Sequence, residues 1–295
     1  MLFKGSAVAI VTPFTSDNKV NFDKLGELIE FQLENGTDGI VVCGTTGEAT
    51  TMTKDEKLDT IKYTVDKVNK RVPVIAGSGT NNTMDSVVMS QKCEALGVDG
   101  LLVITPYYNK ANKSGLKKHF ETIANSVKLP IILYNVPGRT NMNMGPAVIA
   151  DLAKIENIVA VKEASGDLAQ VARIASVVPK DFAIYSGNDD SILQLLSVGG
   201  SGVISVLANV CPKETHDLVA KFFEGDIDGS RELQLKLMSL IDALFIEVNP
   251  VPVKTALNLI GFEVGDLRLP LAEMEDKNLE VLKSELTKAG LKVVK

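Results

Sequence analysis

Short apolar runs recur eight times along the first 225 residues, and each is followed by a segment of helical periodicity. No other feature constrains the fold as tightly. The runs lie at residues 7–11 (AVAIV), 39–43 (GIVVC), 72–76 (VPVIA), 101–105 (LLVIT), 131–134 (IILY), 158–162 (IVAVK), 182–185 (FAIY) and 202–206 (GVISV). They are apolar at odd and even positions alike, as strands covered on both faces of a parallel sheet must be. Between them, apolar residues fall at three- and four-residue spacing over 23–34, 54–68, 84–96, 114–127, 146–152, 168–178, 190–198 and 213–223. This alternation predicts an α/β fold, a (β/α)8 TIM barrel. A doubly wound sheet competes, but it more often uses fewer strands. The loop Gly77-Ser78-Gly79-Thr80 also lacks the third glycine of a dinucleotide-binding turn.

The eight units end near Gly225. A barrel typically needs about 250 residues with its loops. The remainder reads as helices at 228–247, 252–259 and 278–288, the last charged and amphipathic. We therefore expect a barrel carrying the active site over 1–225 and a C-terminal helical extension over 226–295.

Composition removes several kinds of chemistry. There are 31 Lys plus Arg against 37 Asp plus Glu, a net charge of −6, which argues against nucleic-acid backbone binding. The two histidines, His119 and His216, are far apart. Zinc sites and histidine-activated nucleophiles generally need more imidazole than that, so such chemistry has almost nothing to run on. His119 lies in a polar helix and is expected to be exposed. Cys43, Cys93 and Cys211 are odd in number and widely spaced, which suits a reducing, cytoplasmic setting rather than a disulfide framework. No apolar run approaches the roughly 18 residues of a membrane span, and the N-terminal run is broken by Pro13.

In barrels the chemistry sits at the C-terminal ends of the strands and in the loops after them. That rule selects Gly44-Thr45-Thr46-Gly47-Glu48, Thr105-Pro106-Tyr107-Tyr108-Asn109, Tyr134-Asn135, the loop carrying Arg139, Lys162-Glu163, Asn188-Asp189-Asp190 and Ile204-Ser205. Lys162 is the only lysine inside an apolar strand. Burial disfavours a charged amine, and a neutral amine adds to carbonyls to form Schiff bases. Pairing with Glu163 or a loop carboxylate is the plainer reading, and position alone leaves both open. Tyr134, on the adjacent strand, could carry a proton where histidine is scarce. Cys43 reads as a small buried residue, and the Asn188-Asp189-Asp190 run as a helix cap.

Taken together, the rim motifs resemble the dihydrodipicolinate synthase family of pyruvate-dependent Schiff-base lyases. The resemblance rests on Gly44-Thr45-Thr46-Gly47-Glu48, Val103-x-Thr105-Pro106-Tyr107-Tyr108-Asn109, Tyr134-Asn135-Val136-Pro137-x-Arg139-Thr140, Val161-Lys162-Glu163-Ala164 and Asn249-Pro250-x-Pro252-Val253-Lys254. It runs from Gly5 to about Leu269. It implies condensation of pyruvate with aspartate-4-semialdehyde in diaminopimelate and lysine biosynthesis, by a homo-oligomer, commonly a tetramer built as a dimer of dimers. By resemblance, no metal or organic cofactor is required, Lys162 forms the imine and Tyr134 moves protons. Thr45 and Tyr108 complete a proton relay, Tyr108 reaching in from a neighbouring subunit. Thr46 and the backbone at Ile204 hold pyruvate, and Arg139 binds the carboxylate of the aldehyde. Some members are inhibited by lysine at positions matching Ala49, Lys54, Lys57, Asn81, Asp85 and Tyr107. Inhibited relatives often carry histidine at position 57, and a second ammonium beside a lysine ligand is unfavourable, so weak or absent inhibition is expected.

Two alternatives share these features. One is a sister aldolase acting on N-acetylneuraminate or a keto-deoxy sugar acid, which has less need of Arg139. The other is a barrel kept as a binding subunit, against which Lys162, Tyr134, Thr45 and Tyr108 are all present.

Overall fold

The computed structural model describes residues 1–294. Eight parallel strands close into one barrel in sequence order. They are β1 (Gly5–Ala9), β2 (Gly39–Val42), β3 (Val74–Gly77), β4 (Gly100–Ile104), β5 (Ile131–Asn135), β6 (Ile158–Glu163), β7 (Ala183–Ser186) and β8 (Gly202–Ser205). Each expected apolar run overlaps a strand, with ends moved by at most two residues. β1 pairs with β8, Ala7 opposite Ile204, and closes the ring.

Outside the strands lie α1 (Phe22–Glu34), α2 (Lys54–Val68), α3 (Thr83–Ala95), α4 (Lys113–Ala124), α5 (Pro137–Thr140), α6 (Pro146–Leu152), α7 (Leu168–Ala175), α8 (Ile192–Ser197) and α9 (Pro212–Glu224). Caps explain several starts. Thr53 and Glu56 form a reciprocal capping box on α2, and Asn82 accepts from two backbone N–H groups at the start of α3. Pro146 and Pro212 occupy the first turns of α6 and α9, where no intrahelical donor is lost. Three further helices follow: α10 (Ile227–Leu244), α11 (Val251–Leu259) and α12 (Asp276–Lys288). The last buries Leu282 and Leu286 and leaves its charged residues outward.

Alternation along each strand sorts the core into two layers. Ala7, Ala9, Val41, Ile75, Leu102, Ile132, Tyr134, Ala160 and Ile204 pack inside the barrel. Val8, Val42, Val74, Leu133 and Val161 pack outside against the helices. Phe3 stacks on Tyr185 with ring centres 4.2 Å apart, and the Tyr185 hydroxyl donates to the Phe3 carbonyl at 2.7 Å. That pair fills the N-terminal end of the barrel, so open space is left toward the opposite, catalytic end.

Four sequence expectations need correction. Arg139 sits in α5, a helical turn started by Pro137, rather than in an irregular loop. His119 is buried at 5 % exposure, because α4 turns that face onto α3, where Nδ1 lies 2.9 Å from the Thr83 hydroxyl. Asp189 does not cap the following helix; its carboxylate turns inward to the backbone after β8. The remaining correction, to the plainer reading of Lys162, comes from the site itself.

Candidate active site

β6 decides how Lys162 is presented. Neighbouring residues on a strand point to opposite faces, so Lys162 shares the interior with Ala160, while Val161 and Glu163 face outward. The Glu163 carboxylate is fully engaged on that outer side. Asn135 Nδ2 donates to it at 2.9 Å and the Ser165 backbone N–H at 2.8 Å. Gln170 Nε2 lies at 3.4 Å. Burial pushes the Glu163 carboxyl above its ordinary range, against these hydrogen bonds. Glu163 is therefore a structural anchor, and pairing with Lys162 is excluded by geometry. Lys162 itself is 5 % exposed, and among the described residues no ion pair involves its amine.

Tyr134 lies directly opposite Lys162 across the β5–β6 ladder. Lys162 Nζ sits 4.5 Å from the centre of the Tyr134 ring. A cavity of about 90 Å3 opens above the two. Lys162, Tyr134, Thr45, Thr46 and Arg139 all line it. Five of the residues named from sequence thus converge on one space. Ile204 is buried in the inner layer beside Tyr134, and Val206 carries β8 on to the cavity wall.

Tyr108 does not join them. It is 88 % exposed and holds a left-handed backbone at φ 71°. Its ring is thrown away from its own barrel. The residues matched to lysine inhibition also separate. Ala49, Lys57 and Tyr107 line a second cavity of about 190 Å3, which shares Thr45 and Tyr134 with the first. Burial lowers the Lys57 amine below its ordinary value. Asn81 is exposed at the start of α3, and Asp85 is taken by Lys54 at 2.9 Å.

Several positioning groups carried no role in the sequence. Gly187 is one: a Cβ there would stand 3.0 Å from Lys162 Cε and 2.6 Å from Ala164 Cβ, so only glycine leaves the lysine its channel. Asn249, from the segment between α10 and α11, is another. Its Nδ2 donates to the Thr46 hydroxyl at 3.0 Å, and its carbonyl accepts from Arg139 at 2.9 Å. Because Thr46 Oγ1 accepts from Asn249, its own proton is free for an acceptor in the cavity. The 44–48 loop is tied down at its far end by Glu48, whose carboxylate takes Lys254 Nζ at 2.6 Å and the Arg268 N–H at 2.9 Å. The Asn249-Pro250-x-Pro252-Val253-Lys254 motif was the signal that could have revealed this clamp. Among the described residues, no group of three or more His, Cys, Asp or Glu is placed to hold a metal ion.

The chain matches the Dihydrodipicolinate synthetase family over residues 2–289. It belongs to that family. It is 57 % identical over 290 residues to the 4-hydroxy-tetrahydrodipicolinate synthase of Acetivibrio thermocellus, covering 98 % of each chain. The enzyme of the same name from a Thermoanaerobacter species is 58 % identical over 291 residues, again covering 98 % of both. The crystal structure of dihydrodipicolinate synthase from Thermotoga maritima superposes with a TM-score of 0.97 at 43 % identity, over 99 % of this family member and all of that chain.

Proposed function

We propose that this family member condenses pyruvate with L-aspartate-4-semialdehyde to 4-hydroxy-tetrahydrodipicolinate, in diaminopimelate and lysine biosynthesis. Membership at 57 % identity over nearly the whole chain supports the reaction. One observation carries the mechanism: a buried lysine inside the barrel, without an ion-pair partner among the described residues, lies 4.5 Å from the ring centre of a tyrosine.

The neutral Lys162 amine attacks the ketone carbon of pyruvate. The carbinolamine takes up one proton and loses water, leaving a protonated imine. That cation is an electron sink, so the pyruvate methyl gives up a proton and becomes an enamine. The enamine carbon bonds to the aldehyde carbon of the second substrate, whose oxygen is protonated. The substrate's own amine then displaces Lys162 as the ring closes, and the free lysine is regenerated. Tyr134 is the proton carrier and Thr45 its relay partner. Thr46 donates to the pyruvate carboxylate, and Arg139 forks onto the carboxylate of the aldehyde.

The relay is completed by Tyr108 of a second copy, which makes the working unit a homo-oligomer; a tetramer is the expected state. Exposure of Tyr108 and its left-handed backbone support this. Residues 226–295 serve as a helical extension of the barrel, supported by the Asn249 and Lys254 contacts to the 44–48 loop. Among the described residues no helix is long and apolar enough to cross a membrane, and a cytoplasmic location is our reading.

The test is to treat the protein with pyruvate and borohydride and locate the adduct by mass spectrometry. A single reduced pyruvate adduct on Lys162 is expected. No adduct, or one on another residue, overturns the mechanism.

A further inference from the structure

Asn249 has one polar atom that the contacts described above leave over. The residue is 6 % exposed and lines the cavity of about 90 Å3 together with Lys162, Thr46 and Arg139. Its Nδ2 is spent on the Thr46 hydroxyl at 3.0 Å, and its backbone carbonyl on Arg139 Nη2 at 2.9 Å. Among the described residues its Oδ1 is buried and has no hydrogen-bond partner. Ser6, His119, Asp189 and Arg268 also hold such an atom, but none of them lines this cavity.

A buried amide oxygen left without a donor is costly, so its natural partner is a donor on whatever fills the cavity. The place of Asn249 says which donor. Its side chain reaches Thr46, assigned above to pyruvate, and its backbone reaches Arg139, assigned to the carboxylate of the aldehyde. In L-aspartate-4-semialdehyde the aldehyde and the α-carboxylate are the two ends, and the α-amine lies between them. With its carboxylate on Arg139 and its aldehyde at the enamine, the substrate brings that amine to a residue spanning the same two anchors. No Asp or Glu is among the described residues lining the cavity, so acceptance of its N–H groups falls to an uncharged oxygen.

We infer that Asn249 Oδ1 accepts a hydrogen bond from the α-amine of the second substrate, which makes Asn249 the residue that selects an α-amino aldehyde over a plain carboxy-aldehyde. The inference deepens the reading of the site given above and rests on it. The amide takes no proton. It holds the amine that later displaces Lys162.

The test is Asn249→Ala in the full chain at saturating pyruvate, with two aldehydes that differ only in the amine. KM is measured for L-aspartate-4-semialdehyde, and the inhibition constant for succinate semialdehyde, which keeps the carboxylate and aldehyde and lacks the amine. Truncation to alanine removes Oδ1 but leaves the backbone carbonyl that holds Arg139. The expected result is about a tenfold rise in KM with the succinate semialdehyde constant within about twofold of wild type. If Asn249 only steadies Thr46 and Arg139, or its Oδ1 only holds water, the two constants rise together or neither moves, and either result overturns the inference while leaving the Lys162 mechanism intact. Should Asn249→Ala fail to fold, Asn249→Asp decides the matter, since a carboxylate is the stronger acceptor for an amine. The ratio of KM to the succinate semialdehyde constant should then fall below that of wild type, and a ratio equal to or above it overturns the inference. Absence of any Lys162 adduct in the wild type overturns the mechanism and this inference with it.

Discussion

Lys162 and Glu163 are adjacent in sequence and opposite in fate, and the pleat is the whole reason. One side chain enters the barrel, its amine in no ion pair among the described residues, while the other meets Asn135, Ser165 and Gln170 outside. At this scale much was legible: Lys162, Tyr134, Thr45, Thr46 and Arg139 all reach one cavity. His119 was not legible, because a polar helix sequence does not reveal which of its faces a neighbouring helix covers. Burial lowers its imidazole to about 4, against about 6.5 when unfolded. Between these values the unfolded chain binds the extra proton, so the contribution of His119 is present above pH 6.5 and is lost as pH falls toward 4. The full loss is about 3 kcal/mol. Glu163 and Asp189, raised by burial, act with the opposite sign, so the comparison must be differential. Unfolding free energies of wild type and His119→Gln, measured from pH 7 to 4, should converge as pH falls. A difference constant over that range would show that folding does not lower the His119 pKa.

At the scale of elements, the strands were readable because burial on both faces writes a continuous apolar run, and their ends shifted by no more than two residues. α5 and the turn at 189–191 were not readable, since four- and three-residue elements carry no periodicity. The tie between the 44–48 loop and α11 left only an indirect trace, the Asn249–Lys254 motif, because Glu48 and Lys254 are about 200 residues apart and periodicity does not link them. Both side chains are almost completely buried, and the Lys254 amine lies 4.1 Å from the Phe14 ring centre. Burial pulls that amine below its usual value while Glu48 draws it back up. Removing one charge leaves the other buried and unpaired, which costs on the order of 3–5 kcal/mol. Glu48→Gln should therefore lower the unfolding free energy by about that amount, read by urea denaturation. It should also lower kcat, because Thr45 and Thr46 share the loop. A variant as stable as the wild type would mean the pair breaks even with its desolvation.

At the scale of the whole molecule, two features point outward from the barrel. The first is the cavity beside Lys57. Lys54 already occupies Asp85, and Lys57 brings a second amine to the wall, so a free lysine would meet cation rather than anion there. Turnover titrated with lysine should show weak or no inhibition, and strong inhibition below millimolar concentration would contradict this. The second is Tyr108. A side chain 88 % exposed, on a left-handed backbone, costs strain and buries little against the described residues. That arrangement makes sense if the ring is received by a second copy, and exchange between two damaged chains can test it. Lys162→Ala removes the nucleophile, and Tyr108→Phe removes the relay hydroxyl, so each variant alone should be nearly inactive. In a mixed dimer the Tyr108→Phe chain keeps its Lys162 and receives an intact Tyr108 from the Lys162→Ala chain, which rebuilds one complete site. Random mixing puts half of the dimers in that state with one of two sites restored, so activity should return to about a quarter of wild type after the variants are unfolded and refolded together. If Tyr108 works within its own chain, no mixture can contain a complete site, and activity should stay at the level of the separate variants.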